Sequence, residues 1–146
     1  MSKYLEKKEG YGKKLPVLLL LLCAAFLIPL LYSFYTGHIW EDYYITYKFS
    51  RNLAEGRGLV HAPGERVHGF TSPLGVLLPA LTFFISGSDD AAIWLFRLLF
   101  AIPAFVGASY MLFRISEKIF SQYPSIIYLC PLLFLFDVKS VMFSVN

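Results

Sequence analysis

Two adjacent acidic residues, Glu41 and Asp42, directly follow a long apolar stretch and precede a polar segment rich in glycine and histidine. A carboxylate positioned beside a hydroxyl group can accept its proton in the transition state, which accelerates group transfer by about 10²–10⁴-fold. Acidic residues in the first turn of a helix also have a purely structural use, because they interact favourably with the helix dipole. The pair therefore predicts either a general base or a charged helix start.

The composition indicates that the elements around this pair lie in a membrane. Of the 146 residues, 57% are hydrophobic and 18% are aromatic, whereas soluble domains are about 45–50% apolar even when glycine is counted. The net charge of +3 is small, so it does not favour a nucleic-acid partner. We expect an all-α integral membrane protein that has the lipid bilayer as a partner.

The first transmembrane helix is predicted at 15–35, directly before the acidic pair. This run carries no charge and matches the ~20 residues needed to cross the hydrocarbon core. Five lysines lie in a basic tail at 1–14, which predicts a cytoplasmic N-terminus. A cleaved signal peptide or a lipoprotein site at Cys23 is the alternative, but the apolar run is too long and no small-residue cleavage site follows it.

An extracytoplasmic loop is predicted at 36–90, with interfacial helices near 41–55 and 73–85. The apolar part of the second helix provides only ~18 Å at 1.5 Å per residue, well short of the ~30 Å hydrocarbon core. Ser72 and Pro73 supply a hydroxyl cap and a first-turn proline for this helix.

A second transmembrane helix is predicted at 91–113, followed by a cytoplasmic loop at 114–124 whose basic residues follow the positive-inside tendency. A third transmembrane helix starts at 125–136, and 137–146 is interpreted as a truncated end. We therefore expect the N-terminal part of a longer protein, inactive as a fragment.

The first interfacial helix is predicted to be amphipathic. At about 100° per residue, one sector collects charged side chains and another collects the apolar Ile45, Phe49 and Leu53. Such helices rest in the headgroup plane with the apolar side down. Asp42 falls on the apolar side of this helix, and Glu41 falls on the polar side.

Other titratable residues give weaker signals. His38, His61 and His68 lack the spacing of a zinc site, so no metal ligand is predicted; a divalent ion is left open, and no other cofactor is implied. Arg97 lies in the second predicted span, where an ionisable residue points to a functional or pairing role. Because Arg97 is near the outer end, its side chain could equally reach the interface.

The order of motifs after the first span carries a resemblance. Glu41-Asp42 is followed by Tyr-Ile-Thr-Tyr-Lys at 44–48, Asn-Leu-x-x-Gly-x-Gly-Leu-Val at 52–60, Pro-Gly-Glu-Arg-Val at 63–67 and Gly-Phe-Thr-Ser-Pro-Leu at 69–74. This series resembles the GT-C membrane glycosyltransferases that use polyprenyl-phosphate sugars, in the branch that contains the mycobacterial terminal arabinofuranosyltransferases. The resemblance covers the first span, the loop and the next span.

The resemblance implies a GT-C-like N-terminal module in the plasma (inner) membrane, with its active-site loop outside the cytoplasm. An inverting enzyme of this kind moves a sugar from a polyprenyl-phosphate donor to a hydroxyl group of a cell-envelope glycan, lipid or protein. One member of the acidic pair, Asp42 or Glu41, acts as general base, and cations stabilise the departing phosphate. The implied substrate and phosphate contacts are Lys48, Arg66, His68, Thr71 and Ser72.

Two positions depart from the family's pattern. The acidic pair usually begins with aspartate, so Glu41 at its head leaves open which member is the base. His68 stands where the branch commonly has a glutamate, and this exchange bears on the acceptor contacts. We favour Asp42 as the base because it lies on the apolar side of its helix, where a lipid-linked donor would lie.

Two other functions are alternatives. A transporter or flippase subunit could use the outer loop as a gate and Arg97 in a pathway, but it would need further ionisable residues in the spans. The runs 15–35 and 126–136 contain none. A non-catalytic membrane scaffold would leave the ordered motifs between Gly64 and Pro73 without a purpose.

Overall fold

The computed structural model describes residues 2–62, 64, 69–70 and 72–145, and for 2–13 it describes the backbone alone. Within these residues every regular element is helical and no strand is present, which confirms the predicted all-α class. The elements in chain order are α1 (Ser2–Thr36), α2 (Glu41–Ala54), α3 (Pro73–Ser86), α4 (Asp89–Phe96), a π-helical turn (Arg97–Ala101), α5 (Ile102–Ile119), α6 (Pro124–Phe136) and α7 (Val138–Phe143).

Two helices are long and apolar enough to cross a membrane. One is the stretch Lys14–Thr36 of α1, and the other is the continuous helix Asp89–Ile119 formed by α4, the π-helical turn and α5. The helices α3 and α6 are also apolar but shorter. Length and composition thus make two helices candidate spans, which is consistent with a membrane protein.

The second candidate span is longer than the sequence predicts, because the helix continues past residue 113 to Ile119. Its interior contains Pro103, which lacks a backbone N–H and whose ring clashes with the preceding turn of a regular α-helix. The π-helical turn lies directly before α5, which carries this proline in its first turn. A π turn is a wider turn inserted in an α-helix, and here it leaves room for the proline ring.

The apolar core lies where α1, α5, α6 and α7 meet. Its buried members are Leu21, Ala25, Phe105, Leu135 and Val141. The rings of Phe105 and Phe134 stack with their centroids 4.6 Å apart. At one end of the two candidate spans, the Nζ of Lys14 lies 3.0 Å from the Oε1 of Glu117. These contacts hold the two candidate spans side by side, with charged residues of both at the same end.

A second group of contacts joins α2, α3 and α4. Phe49 and Val76 are fully buried between α2 and its neighbours. The hydroxyl of Ser50 donates a hydrogen bond to the backbone oxygen of Val76 at 2.9 Å, and this fixes α2 against α3.

This packing corrects the predicted membrane-facing side of α2. Phe49 does not point outward, because its ring lies against His61 and Phe70 at centroid distances of 5.8 and 5.4 Å. Ile45 is exposed and Leu53 is half-buried, so the three residues do not form one surface. Helical periodicity identifies an apolar sector of α2. It does not predict that the chain after α2 folds back and covers Phe49 in the middle of this helix.

Local sequence explains where two of the helices begin. Ser72 caps α3 by accepting a hydrogen bond from the backbone N–H of Gly75 at 3.1 Å, and Pro73 occupies the first turn, as predicted. Residues 137–146, interpreted from the sequence as a truncated end, contain α7. Asp137 begins this helix by accepting hydrogen bonds from the backbone N–H and the hydroxyl of Ser140, at 2.8 and 2.6 Å.

Gly69 provides a test of this packing. A methyl group built on its Cα would lie 3.0 Å from Cε2 and Cζ of the buried Phe49 ring. We expect Gly69→Ala to lower the free energy of unfolding by about 1–3 kcal/mol, as overpacking of a filled site does. Thermal unfolding in detergent micelles, followed by circular dichroism, measures this change.

The matched control is Gly107→Ala in α5. An added methyl group there meets no atom within 4 Å, and alanine in a helix interior is about 0.5–1 kcal/mol more favourable than glycine. Gly107→Ala should therefore leave the unfolding temperature unchanged or raise it. Equal losses of stability in the two variants would contradict the described packing of Gly69 on Phe49.

Candidate functional site

The acidic pair lies in the first turn of α2, where both side chains are exposed. The residue before the helix is Trp40, which has no side-chain oxygen to cap the free N–H groups. Negative charge at Glu41 and Asp42 therefore favours this helix start, as the structural interpretation predicts. A role in chemistry requires in addition that one of the carboxylates faces a site that a substrate can occupy.

Asp42 meets this requirement, and Glu41 does not line the same cavity. Asp42 lines a cavity of about 380 Å³, which we call the Asp42 cavity. Its other lining residues are Tyr43, Thr46, Tyr47, Phe70, Ser72, Gly75, Phe96 and Phe143. The Asp42 carboxylate makes no hydrogen bond or ion pair with any residue that the structure describes. It is therefore available to accept a proton from a ligand in this cavity.

The other predicted substrate contacts divide into three groups. Ser72 lines the Asp42 cavity while its hydroxyl caps α3. Lys48 is exposed and does not line the cavity, because it lies about 120° around α2 from Asp42. The remaining three, Arg66, His68 and Thr71, lie outside the described residues.

Tyr47 is a member of the cavity wall that the sequence did not single out as functional. It is 4% exposed, and its hydroxyl has no hydrogen-bond partner among the described residues. Burial raises the pKa of this phenol far above its ordinary value; the nearby Arg97 lowers it and Tyr43 raises it further. The group therefore stays a neutral phenol, and its hydroxyl is enclosed by the protein and does not face a ligand in the cavity.

The neighbouring Tyr43 is affected in a similar way. Burial raises its pKa, and the negative charge of Asp42 raises it further. A deprotonated phenolate beside Asp42 is thus disfavoured. The Asp42 cavity is thus lined by one carboxyl group, two neutral phenols and the hydroxyl-bearing residues Thr46 and Ser72.

A second and larger cavity, which we call the apolar groove, adjoins the first. It measures about 560 Å³ and lies between α3, α5, α6 and α7. Its lining consists mainly of apolar residues, Leu78, Phe96, Phe100, Ala101, Ala104, Phe105, Ala108, Phe134 and Phe143. Polar groups from Asp137, Lys139, Ser140 and Ser144 complete it. Phe96 and Phe143 belong to the walls of both cavities, so the two cavities are adjacent at these rings.

The glycine-rich segment after α2 is held by a polar network. Asn52 is 4% exposed, and its Nδ2 donates to the backbone oxygens of Val60 and His61 at 2.7 and 3.0 Å. Its Oδ1 accepts a hydrogen bond from Arg57 at 3.0 Å. Gly56 and Gly58 have φ angles of 77° and 84°, which glycine adopts without the steric penalty of a side chain. The Asn52 amide thus provides the hydrogen-bond donor that the backbone oxygens of this tight turn would otherwise find in water.

Asn52→Ala should release this turn. Two partly buried backbone oxygens would lose their donor and the half-exposed Arg57 guanidinium would lose one acceptor. A fully buried polar group left without a partner costs about 1–3 kcal/mol, so the loss here should lie at the lower end of that range. We expect faster hydrogen exchange in residues 56–61 and a lower unfolding temperature. Mass-spectrometric detection of the exchange, peptide by peptide, locates the effect.

Arg51→Ala is the matched control for that experiment. Arg51 lies 3.0 Å from Glu55 and 2.7 Å from Asp89, but its side chain is 48% exposed. Exposed ion pairs contribute only about 0–1 kcal/mol, so exchange in 56–61 should change little. The proposed anchoring role of Asn52 is wrong if the two variants give the same exchange profile.

The structure offers few candidates for a metal site. No group of three histidine, cysteine, aspartate or glutamate side chains comes together within its described part. Asp89 belongs to the ion pair with Arg51. Cys23 is exposed and Cys130 half-buried, and both are free thiols.

The chain was compared with protein-family models, curated proteins and solved structures, and none of them matches it. Function is therefore inferred from the arrangement of the site: an available carboxylate, two neutral phenols and an adjoining apolar groove.

Proposed function

We propose that the protein is the N-terminal module of an inverting membrane glycosyltransferase of the GT-C type. The donor is a polyprenyl-phosphate sugar, and the acceptor is a hydroxyl group of a cell-envelope glycan, lipid or protein. One observation carries the proposal: the available carboxylate of Asp42 lies in a cavity that shares Phe96 and Phe143 with a large apolar groove. A lipid-linked donor needs both features in contact.

The reaction follows from the groups in the Asp42 cavity. The acceptor oxygen bonds to the anomeric carbon from the face opposite the phosphate, and its proton passes to an oxygen of Asp42. The bond between the anomeric carbon and the phosphate oxygen breaks, and polyprenyl phosphate leaves with the bonding electrons. Attack from the opposite face inverts the anomeric configuration.

The apolar groove provides a binding site for the lipid chain of the donor. Its apolar residues from α5, α6 and α7 remove an isoprenoid chain from water and from the surrounding lipid. Lys139, which lines the same groove, supplies a cation for the phosphate that gains charge as it leaves. Arg66, from the motif segment, is assigned the same role from its charge.

The charge distribution supports an N-terminus in the cytoplasm and an active site outside it. Lys14 and Arg114 lie 3.0 and 3.7 Å from Glu117, at the same end of the two candidate spans. Basic residues next to spans favour the cytoplasmic side. The acidic pair follows the opposite end of α1, after Thr36, and would then lie on the outer side of the inner membrane.

A transporter or flippase subunit is the second candidate function. The observation that favours it is Arg97, a charged residue that is 2% exposed within a candidate span. A transport pathway would require this charge to contact a moving substrate. Its hydrogen bonds to two backbone oxygens assign the guanidinium to the protein itself, so glycosyl transfer explains more of the site.

A panel of radiolabelled polyprenyl-phosphate sugars tests the proposal. Each donor is incubated with membranes from cells that express the protein from its native gene, beside membranes from a deletion strain. We expect one donor to be consumed with transfer of label to an envelope acceptor, and with inversion at the anomeric carbon. Transbilayer movement of a donor without cleavage would support the flippase instead.

A further inference from the structure

Arg97 is a buried cation with no acidic partner among the residues that the structure describes. Its side chain is 2% exposed, and its guanidinium lies 5.3 Å from the ring centroid of Trp94. Nε donates to the backbone oxygen of Val145 at 2.7 Å, and Nη2 donates to the backbone oxygen of His38 at 2.9 Å. The side chain points into the protein, which favours the pairing role over the alternative in which it reaches the membrane interface.

These two hydrogen bonds join distant parts of the chain. His38 lies in the connection between α1 and α2, and Val145 follows α7. The same two segments meet a second time, because the rings of Trp40 and Phe143 stack at a centroid distance of 5.6 Å and an angle of 22°. Phe143 and Phe96, the residue before Arg97, are the two side chains common to the Asp42 cavity and the apolar groove.

We propose that Arg97 is a positioning residue that sets the wall between the two cavities. By holding the backbone at Val145 and His38, it fixes α7 against the α1–α2 connection, so that Phe143 stacks on Trp40 and closes the shared wall. Insofar as the two cavities hold a donor, this inference rests on the proposed function. The position of the Phe143 ring then determines whether the apolar groove and the Asp42 cavity form one continuous site.

The chemistry of arginine explains why this residue type is used. A guanidinium presents five N–H donors in a rigid planar fork, whereas a lysine ammonium is a compact point charge on a flexible stem. One guanidinium can therefore bond two carbonyl groups that approach from different segments. Burying a charge is unfavourable unless hydrogen bonds or an opposite charge compensate it. The buried guanidinium is therefore better explained by its two hydrogen bonds than by incidental packing. The π-helical turn begins at Arg97, and such turns are frequent at functional sites.

Fluorescence of Trp40 tests the inference without any enzymatic assay. The chain has two tryptophans, Trp40 and Trp94, so Trp94→Phe leaves Trp40 as the single reporter of the stack on Phe143. In this background, acrylamide quenching of the protein in micelles is compared for Arg97→Gln, Arg97→Lys and Phe143→Ala. Arg114→Gln, which removes an exposed cation from the same continuous helix, is the control.

Trp40 is already 37% exposed, and loss of the stack should expose its ring further. We expect Arg97→Gln to raise the quenching constant to the value given by Phe143→Ala, and Arg114→Gln to leave it at the parent value. Arg97→Lys should give an intermediate value, because an ammonium can satisfy only part of the pair of carbonyls. A parent-like value for Arg97→Gln, with a raised value for Phe143→Ala, would overturn the inference.

The combination of Arg97→Lys with Phe143→Ala covers the case in which Arg97→Gln does not fold. If Arg97 acts through Phe143, the double variant should be quenched no more than Phe143→Ala alone, since residues in one network are not additive. Additive increases would show that Arg97 does not act through this ring. Failure of the proposed function is a separate result, seen as absence of donor cleavage by membranes that carry the product of the native gene, and it does not change the Trp40 measurement.

Discussion

Asp42→Asn should lower the rate of sugar transfer by about 10²–10⁴-fold, which is the usual contribution of a positioned general base. The amide has nearly the shape of the carboxylate, so it leaves the cavity and its other lining residues in place. It cannot accept the proton of the acceptor hydroxyl. The loss should appear in kcat, with the KM for the lipid donor little changed, because the donor is held mainly by the groove.

Glu41→Gln is the matched control for that variant. Both substitutions remove one negative charge from the first turn of α2, so each weakens the dipole interaction by a similar amount, about 0.3–1 kcal/mol. Of these two residues, only Asp42 lines the Asp42 cavity. Transfer by Glu41→Gln should stay near that of the unaltered protein. The reverse pattern, with Glu41→Gln inactive and Asp42→Asn active, would move the role of base to Glu41.

Filling the apolar groove should produce the second large effect. Ala104 and Ala108 lie one turn apart on α5 and both line the groove. Ala108→Trp would place an indole where the lipid chain is proposed to bind. We expect the KM for the polyprenyl-phosphate donor to rise at least about tenfold, a loss of about 1.4 kcal/mol in binding. Steady-state kinetics at several donor concentrations measures the change.

Met111→Trp separates this effect from a general disturbance of the helix. Met111 is 60% exposed on the same helix and does not line the groove. The indole it introduces should face the surroundings of the protein, and the KM for the donor should stay unchanged. A rise in KM shared by both variants would mean that the groove is not the site of the lipid chain.

The helices could be predicted from the sequence because their signals are local. Apolar runs, the hydroxyl of Ser72 before Pro73 and the glycines after α2 each act within a few residues. The ends were less predictable: the second span was predicted to end at residue 113, whereas α5 continues to Ile119. The start of α7 had a local signal in Asp137 and Ser140, which an interpretation of 137–146 as a truncated end overlooked.

The site was predictable only in part, because its walls come from residues far apart in the chain. The sequence pointed to Asp42 and Ser72, which the structure places in one cavity, and to Lys48, which it does not. Phe96 and Phe143 could not be recognised as site residues, because the sequence does not show which distant residues an aromatic side chain in an apolar run packs against. The hydrogen bonds of Arg97 span 48 and 59 residues, a separation at which a single sequence contains no pairing information.

The most direct test of this account is photo-crosslinking of the donor lipid. The protein in nanodiscs is irradiated with a polyprenyl phosphate that carries diazirine groups along its chain, and the labelled residues are mapped by mass spectrometry. We predict labels in the apolar groove, at residues such as Ala104, Phe134 and Phe143, and their loss in Ala108→Trp. The protein has a second apolar cavity of about 420 Å³, lined by Leu30, Leu31, Phe34, Trp94 and Leu98. This cavity is the alternative binding site for the lipid chain that the same experiment examines. Labels confined to that cavity, or scattered over the lipid-facing surface, would contradict the claim that a lipid-linked donor lies beside Asp42.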